Sequence, residues 1–490
     1  MQKTVISERQ FAFLVISLLS TASLINLPHV LIELSGADAA FSVIFMLLYG
    51  LLMAAYMVML SRRYPRKNLF EIHEIIFGRI FGTFINVLLL LRIGFVVLRD
   101  IRLFNFFTKV VLLPRTPTEI LLLLFFIVLF YYGSTTLEVS ARVNELFYPL
   151  LLLSQLILPL LLINQYSFYS ADPYFVQPPQ NVGMAGIIGC TWFGDIFVMG
   201  AFLQMLSSKV QMKSAFRFGV IVSSFIMALS LVLMVMVFGA NMTAHQVYPN
   251  YSLAMQLLLT DFLDRLEFPF LAVYFPVFFI NTAIMFIAML IGIGTITRSR
   301  DYTRFNRPFG LLVLLASLLG FRGAIDLNIF ANYGLPFFVI LIEPLAILTV
   351  LTGFLIKQHR EKRMASEYIT DSEPPGSVQA TAANPEGAGP ERESHAQHEK
   401  QTDDPPPSTK PPMKGWSHRT WTRFTNVLIG LALAFVAIGF VLGMDYQDAA
   451  TFCTIGFHLC LLIAVYSSAR EARRAKLEPA PSTPSDSGGA

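Results

Sequence analysis

Residues 186–200 read GIIGCTWFGDIFVMG, which places one carboxylate, Asp195, and four glycines inside an apolar run spanning about 185–206. An ionisable side chain at that depth costs roughly 3 kcal/mol to insert into a bilayer and is a functional candidate by default. Gly194 beside Asp195 predicts a helix interrupted at this point, with the carboxylate at the break. The competing reading is structural: Asp195 pairs with a basic residue on a neighbouring helix, Arg92 or Arg99 of the third apolar run.

Similar runs occur along most of the chain, at about 11–34, 38–61, 80–108, 118–133, 143–165, 216–239, 270–296, 308–325, 333–356, 420–443 and 449–468. Together with 185–206 they predict an all-α polytopic membrane protein of ten transmembrane helices plus two more at the C-terminal end. The composition agrees. Of 490 residues 55% are hydrophobic and 14% charged, against roughly 25% charged in soluble domains, and the mean hydropathy is +0.60. A soluble enzyme is excluded. The first run is too long for a signal-peptide core and reads as a retained helix. A net charge of +4 without a basic–aromatic stretch gives no reason to expect nucleic acid. Cys190, Cys453 and Cys460 lie in apolar runs and read as small buried residues, not as disulfides or metal ligands.

The expected organisation is a ten-helix core over 1–357, a disordered linker over 358–417 rich in Pro, Glu, Ser and Gln, two further helices over 418–469, and a disordered tail over 470–490. Basic clusters follow the second, sixth, eighth, tenth and twelfth runs. By the positive-inside rule both termini and the linker are cytoplasmic. Asn68 followed by Glu71 predicts a capped helix over 68–78 along the inner surface. An amphipathic segment over 251–266, capped by Ser252, is expected outside.

The first run carries a second interruption signal, Leu19-Ser20-Thr21-Ala22-Ser23-Leu24-Ile25-Asn26-Leu27-Pro28. Hydroxyls ahead of a proline weaken the helical ladder at mid-membrane depth, and free backbone there must line a cavity or be bound. The structural alternative is a proline-kinked helix whose hydroxyls bond their own backbone. If ten helices form two five-helix halves, the halves insert in opposite orientations and the first and sixth helices correspond. Paired discontinuous helices in inverted halves point to a transporter-type site. Arg92 and Glu343, the latter beside Pro344, are candidates for ion or charge coupling, whereas Arg99, Asp100 and Arg102 read as outer-interface residues. Gly292-Ile293-Gly294 permits close helix packing. No nucleophile–base pair, metal motif or cofactor motif is evident, so no enzyme activity, metal or cofactor is expected.

Ile6-Ser7-Glu8-Arg9-Gln10, Leu27-Pro28, Phe193-Gly194-Asp195 and Phe262-Leu263-Asp264-Arg265-Leu266-Glu267-Phe268 together resemble spore germination permeases. These are the B-type subunits of nutrient germinant receptors, within the amino acid–polyamine–organocation transporter superfamily. The resemblance covers about residues 5–357. It implies a LeuT-like 5+5 inverted repeat and a site between the first and sixth helices. Thr21, Ala22, Ser23 and Leu24 would there face Phe193, Gly194 and Asp195, with Trp192 as a wall. It also implies a small germinant such as an amino acid, an A-type membrane subunit and a C-type lipoprotein as partners, and the spore inner membrane as location. The Ser-Thr-Ala-Ser sequence stands where many superfamily members are glycine-rich, and the last two helices are extra to the pattern. The runner-up reading is an independent proton- or sodium-coupled amino acid transporter.

Overall fold

The computed structural model describes residues 6–167, 174–206, 208–256, 267–299, 301–344, 416–443 and 446–477, with isolated positions in 347–352, and the regular structure among them is entirely helical. The 358–415 part of the linker, residues 478–490 and Phe262–Leu266 of the family-like lead-in lie outside the described residues.

Helix α1 (Glu8–Ser35) starts at a reciprocal cap. The Ser7 hydroxyl accepts from the Gln10 amide at 3.2 Å, and Gln10 Oε1 accepts from the Ser7 amide at 3.1 Å. Two otherwise orphaned N–H groups are thereby satisfied. Gln10 and Arg9 both reach Glu145, fixing this end against α5 (Leu137–Leu161). The expected interruption of this helix is absent, because α1 is continuous through Pro28. The hydroxyls of Ser20, Thr21 and Ser23 donate to the carbonyls of Ile16, Ser17 and Leu19 at 2.7, 2.7 and 2.5 Å. Pro28 removes one rung, the donor for the Leu24 carbonyl. One missing rung bends a helix without opening it.

A short 3₁₀ segment (Gly36–Ser42) leads into α2 (Val43–Arg63). Helix α3 (Leu69–Val111) contains the 68–78 helix expected from the sequence as an arm folded back on its main shaft. Asn68 caps the arm, accepting from the Glu71 amide at 2.8 Å. Gly78, at φ 75° and ψ 179°, makes the reversal, in a region that favours glycine. Asn86 then ties shaft to arm, donating to the Phe70 carbonyl at 2.9 Å and meeting His73 Nδ1 at 2.8 Å.

Helix α4 spans Thr118–Gly133. Helix α6 (Pro179–Phe193) changes its winding at Gly194 and runs on to Met205 as a 3₁₀ helix. Such runs rarely exceed 3–4 residues, and this one is about 6 Å longer than the same segment as α-helix. The sequence predicts a break here; the chain instead tightens. Helices α7 (Lys209–Phe238), α8 (Glu267–Ile296) and α9 (Asn306–Leu319) follow. Between α7 and α8 lies a short helix, Pro249–Met255, in which Ser252 donates to the Tyr248 carbonyl from inside the first turn and does not cap it as expected. Gly292 lets α8 approach α3, since a Cβ there would collide with Leu90 and Phe70. Helix α10 begins as Ala324–Ile329 and continues to Ile342 with two wide π-wound segments, Phe330–Gly334 and Phe338–Ile342.

Helices α11 (His418–Leu442) and α12 (Gln447–Leu477) pair with each other, and α12 packs along α7. Helix α12 runs eight residues beyond the expected end at 469. Those residues are held in part by Glu471, whose carboxylate is buried between Arg217 of α7 (3.1 Å) and Thr422 of α11 (2.9 Å). At the opposite end Phe175 stacks on Phe41 with centroids 4.2 Å apart and meets Phe440 edge-on at 5.0 Å. It fits only because Gly439 has no side chain. Its backbone N–H donates to Asp38 at 2.5 Å. The extra helix pair is therefore fastened to the core at both ends.

Gly439→Leu should consequently lower the melting temperature of the detergent-purified full chain. Gly430→Leu, on the same helix with open space around it, should leave it unchanged; equal effects would contradict the Phe175 seat.

Candidate functional site

Arg92, Arg99 and Asp100 sit on one side of α3 because seven residues are close to two helical turns. They are 1%, 0% and 0% exposed, and Asp195 and Glu343 are 1% and 0% exposed. The five form a line of alternating charge. Asp100 Oδ1 accepts from Arg99 Nε at 2.9 Å and lies 2.8 Å from Arg99 Nη2. Arg99 Nη2 donates to Asp195 Oδ2 at 2.7 Å. The other oxygen of Asp195 accepts from Arg92 Nη2 at 3.4 Å, and Arg92 Nε touches Glu343. Asn281 of α8 donates to the free oxygen of Asp100 at 3.3 Å, and the Tyr49 hydroxyl of α2 donates to Glu343. Side chains from α2, α3, α6, α8 and α10 thus meet in one ladder.

Gly194 is what allows the approach. A Cβ there would stand 2.8 Å from Arg92 Nη2 and 3.2 Å from both Glu343 oxygens. Trp192 forms the floor: the Arg99 guanidinium lies 3.9 Å from its ring centroid, and its indole N–H donates to Asn332 at 3.3 Å. A cation over the indole face is favourable, more so when desolvated. Desolvating five ionisable groups is costly, and their attraction offsets that cost only with close geometry.

The structure brings Arg92, Trp192, Phe193, Gly194, Asp195 and Glu343 into one neighbourhood. Thr21, Ala22, Ser23 and Leu24 are buried in α1, which packs along α6, but their hydroxyls bond within α1. The Thr21 carbonyl accepts from Tyr274 of α8 at 3.0 Å, and Ser20 meets Tyr148 of α5 at 2.8 Å. Arg99 and Asp100 correct the sequence reading: they are interior, and Arg99 joins two carboxylates. The seven-residue spacing from Arg92 was the available signal. Arg102, also read as interfacial, donates to the Phe321 carbonyl at 2.8 Å and is largely buried. Tyr49, Asn281, Asn332 and Tyr274 carry no signal in their local sequence, since each acts across helices distant in the chain.

A bundle of long apolar helices with a charged interior between the third, sixth and tenth defines a polytopic membrane protein of the permease type. Nine helical stretches among the described residues are long and apolar enough to span a bilayer, the first of them uniting α1 and α2. The chain belongs to the spore germination protein family, whose profile matches residues 5–320 and so ends just past α9. Spore germination protein KB of Bacillus subtilis (strain 168) is 23% identical over 382 residues, covering 75% of this chain and 99% of KB. YfkT of the same organism, also described as a spore germination protein, is 24% identical over 278 residues, covering 55% of this chain and 75% of YfkT. Among solved structures, the nucleobase-cation-symport-1 family transporter Mhp1, closed with bromovinylhydantoin bound, matches with a TM-score of 0.51 at 12% identity, over 97% of this chain and 95% of Mhp1. The fold is accordingly the LeuT-like one the resemblance implied.

Arg99→Met leaves Asp100 and Asp195 without their shared guanidinium and should cost about 3–5 kcal/mol, as breaking buried pairs does. Arg99→Lys restores the charge without the fork and should cost less. Thermal unfolding of the purified variants checks this; a wild-type melting temperature for Arg99→Met would contradict the ladder.

Proposed function

We propose that the chain is the B-type membrane subunit of a nutrient germinant receptor. It binds a small germinant, an amino acid by the class of its superfamily, where α1 faces α6, and acts with an A-type membrane subunit and a C-type lipoprotein. Its place is the spore inner membrane, with both termini and the 358–417 linker on the cytoplasmic side. Arg62, Arg63, Arg66 and Lys67 after α2 support that orientation, as do Arg470, Arg473, Arg474 and Lys476 near the end of α12.

The observation that carries this reading is the change of winding at Gly194, next to a carboxylate clamped by two guanidinium groups. A ligand contacting Trp192–Asp195 on one side and Thr21–Leu24 on the other would shift α6 against α1. Any such shift alters the Arg92 and Arg99 contacts and is transmitted to α3 and α10. A ligand can move this equilibrium only by the difference in its affinity for the two arrangements. Signalling through partner subunits requires no net passage of ligand.

The test is a germination screen of spores lacking this chain across amino acids, sugars and nucleosides. The expected result is loss of response to one amino acid or a narrow group of them, with other nutrients unaffected. Unchanged responses to all nutrients would refute the receptor role. Gradient-driven uptake of labelled amino acid by proteoliposomes containing this chain alone would support the independent transporter instead.

A further inference from the structure

The ladder does not balance. Asp100, Asp195 and Glu343 supply three carboxylates, and Arg92 and Arg99 supply two guanidinium groups, all essentially inaccessible to water. With every group ionised the cluster carries one negative charge that is uncompensated among the described residues, which a low-dielectric interior penalises heavily. Arg102, one turn farther along α3 from Arg99 and itself bonded to Phe321, does not complete the line.

The three carboxylates are not equally provided for. Asp195 lies between both guanidinium groups. Asp100 accepts from Arg99 and Asn281. Glu343 stands at the end of the line, and among the described residues its one aligned hydrogen bond comes from Tyr49. Its Oε1 contacts Arg92 Nε without hydrogen-bond geometry. The groups facing it are Arg92 from α3, Asp195 and the Cys190 thiol from α6, and Tyr49 from α2. Arg92 is shared with Asp195, so Glu343 is the least compensated of the three.

We infer that the ladder is a proton-binding site, with one proton held on Glu343 in its contact with the Tyr49 hydroxyl. The proton makes an O–H bond to Oε2 and points at the phenolic oxygen, so the Tyr49 hydroxyl keeps its own hydrogen and changes from donor to acceptor in this contact, while Oε1 stays against Arg92. The cluster is then neutral. Release of the proton to water regenerates the carboxylate and leaves the extra negative charge inside the bundle. The simplest relief is separation of α10 from α2, α3 and α6. The winding of α10 suits such motion, because π-turns end at Ile342, immediately before Glu343, and such turns are frequent at functional sites. The site thus links proton occupancy to the seating of α10, whichever germinant is bound.

Infrared spectroscopy of the full chain in lipid nanodiscs, titrated across neutral pH, tests this. The expected result is a buried carboxylic-acid carbonyl band near neutrality that moves on isotope labelling of glutamate and not of aspartate. It should vanish in Glu343→Gln and shift in Tyr49→Phe. In Asp195→Asn two guanidinium groups face two carboxylates, so the band should vanish although Glu343 is intact. A wild-type protein with no such band, a band that follows aspartate labelling, or one that persists in Asp195→Asn would overturn the inference. So would the absence of a band together with sodium-dependent thermal stabilisation, which would give the counter-charge to a metal cation. The labelling arms need no mutant, so misfolding of a variant cannot shelter the idea.

Discussion

The alternation Asp100–Arg99–Asp195–Arg92–Glu343 is the constraint on which the rest of the bundle depends. In a bilayer, apolar contact does little to choose one helix arrangement over another, because lipid tails are as apolar as leucine. A buried guanidinium is different: it tolerates few neighbours, and each must present an oxygen at the right place. Two of them on one side of α3 specify which stretch of α6 and which stretch of α10 lie alongside. They also account for Gly194, since any larger residue would occupy the space of Arg92 and Glu343.

In α6 the winding tightens where a break is expected, at the residue beside the ladder carboxylate. A 3₁₀ helix advances farther per residue than an α-helix, so the residues after Asp195 are carried farther than α-helical winding would carry them. The 19–28 stretch of α1, by contrast, has no charge to place. Its hydroxyls find carbonyls one turn back, and its proline costs a single rung. Two segments that look alike in sequence therefore behave differently because only one is drawn into an ionic cluster. The extra pair α11–α12 bears on the core elsewhere, through Glu471 at one end of α7 and through Phe175 at the loop preceding α6.

Much of the fold is legible in the sequence. Helix positions follow from apolar runs of membrane length, and the Ser7 and Asn68 caps and the folded-back arm of α3 follow from short-range chemistry within a few residues. The site is legible in part. Asp195, Gly194 and Arg92 stand out because charge and glycine are conspicuous in an apolar helix. Arg99 and Asp100 are obscured by their position near the end of a long helix, where charged residues ordinarily meet solvent. Tyr49 and Asn281 are ordinary polar residues until the helices that carry them are placed side by side, which no local pattern encodes. The end of α12 is obscured for a related reason: Arg470–Lys476 resembles a solvated tail, and the partners of Glu471, distant in the chain, help hold it against α7 and α11.

If the ladder seats α10 against α3, the distance between the two helices reports it. Leu91 of α3 and Leu341 of α10 are both half-exposed on their helices. Spin labels at these positions, in a full chain whose three native cysteines are replaced, report the separation by pulsed electron resonance. One narrow short distance is expected at acidic pH, with a second, longer population growing in as the pH rises and no pH dependence in Glu343→Gln. A single distribution unchanged across pH in the wild-type ladder would contradict that seating.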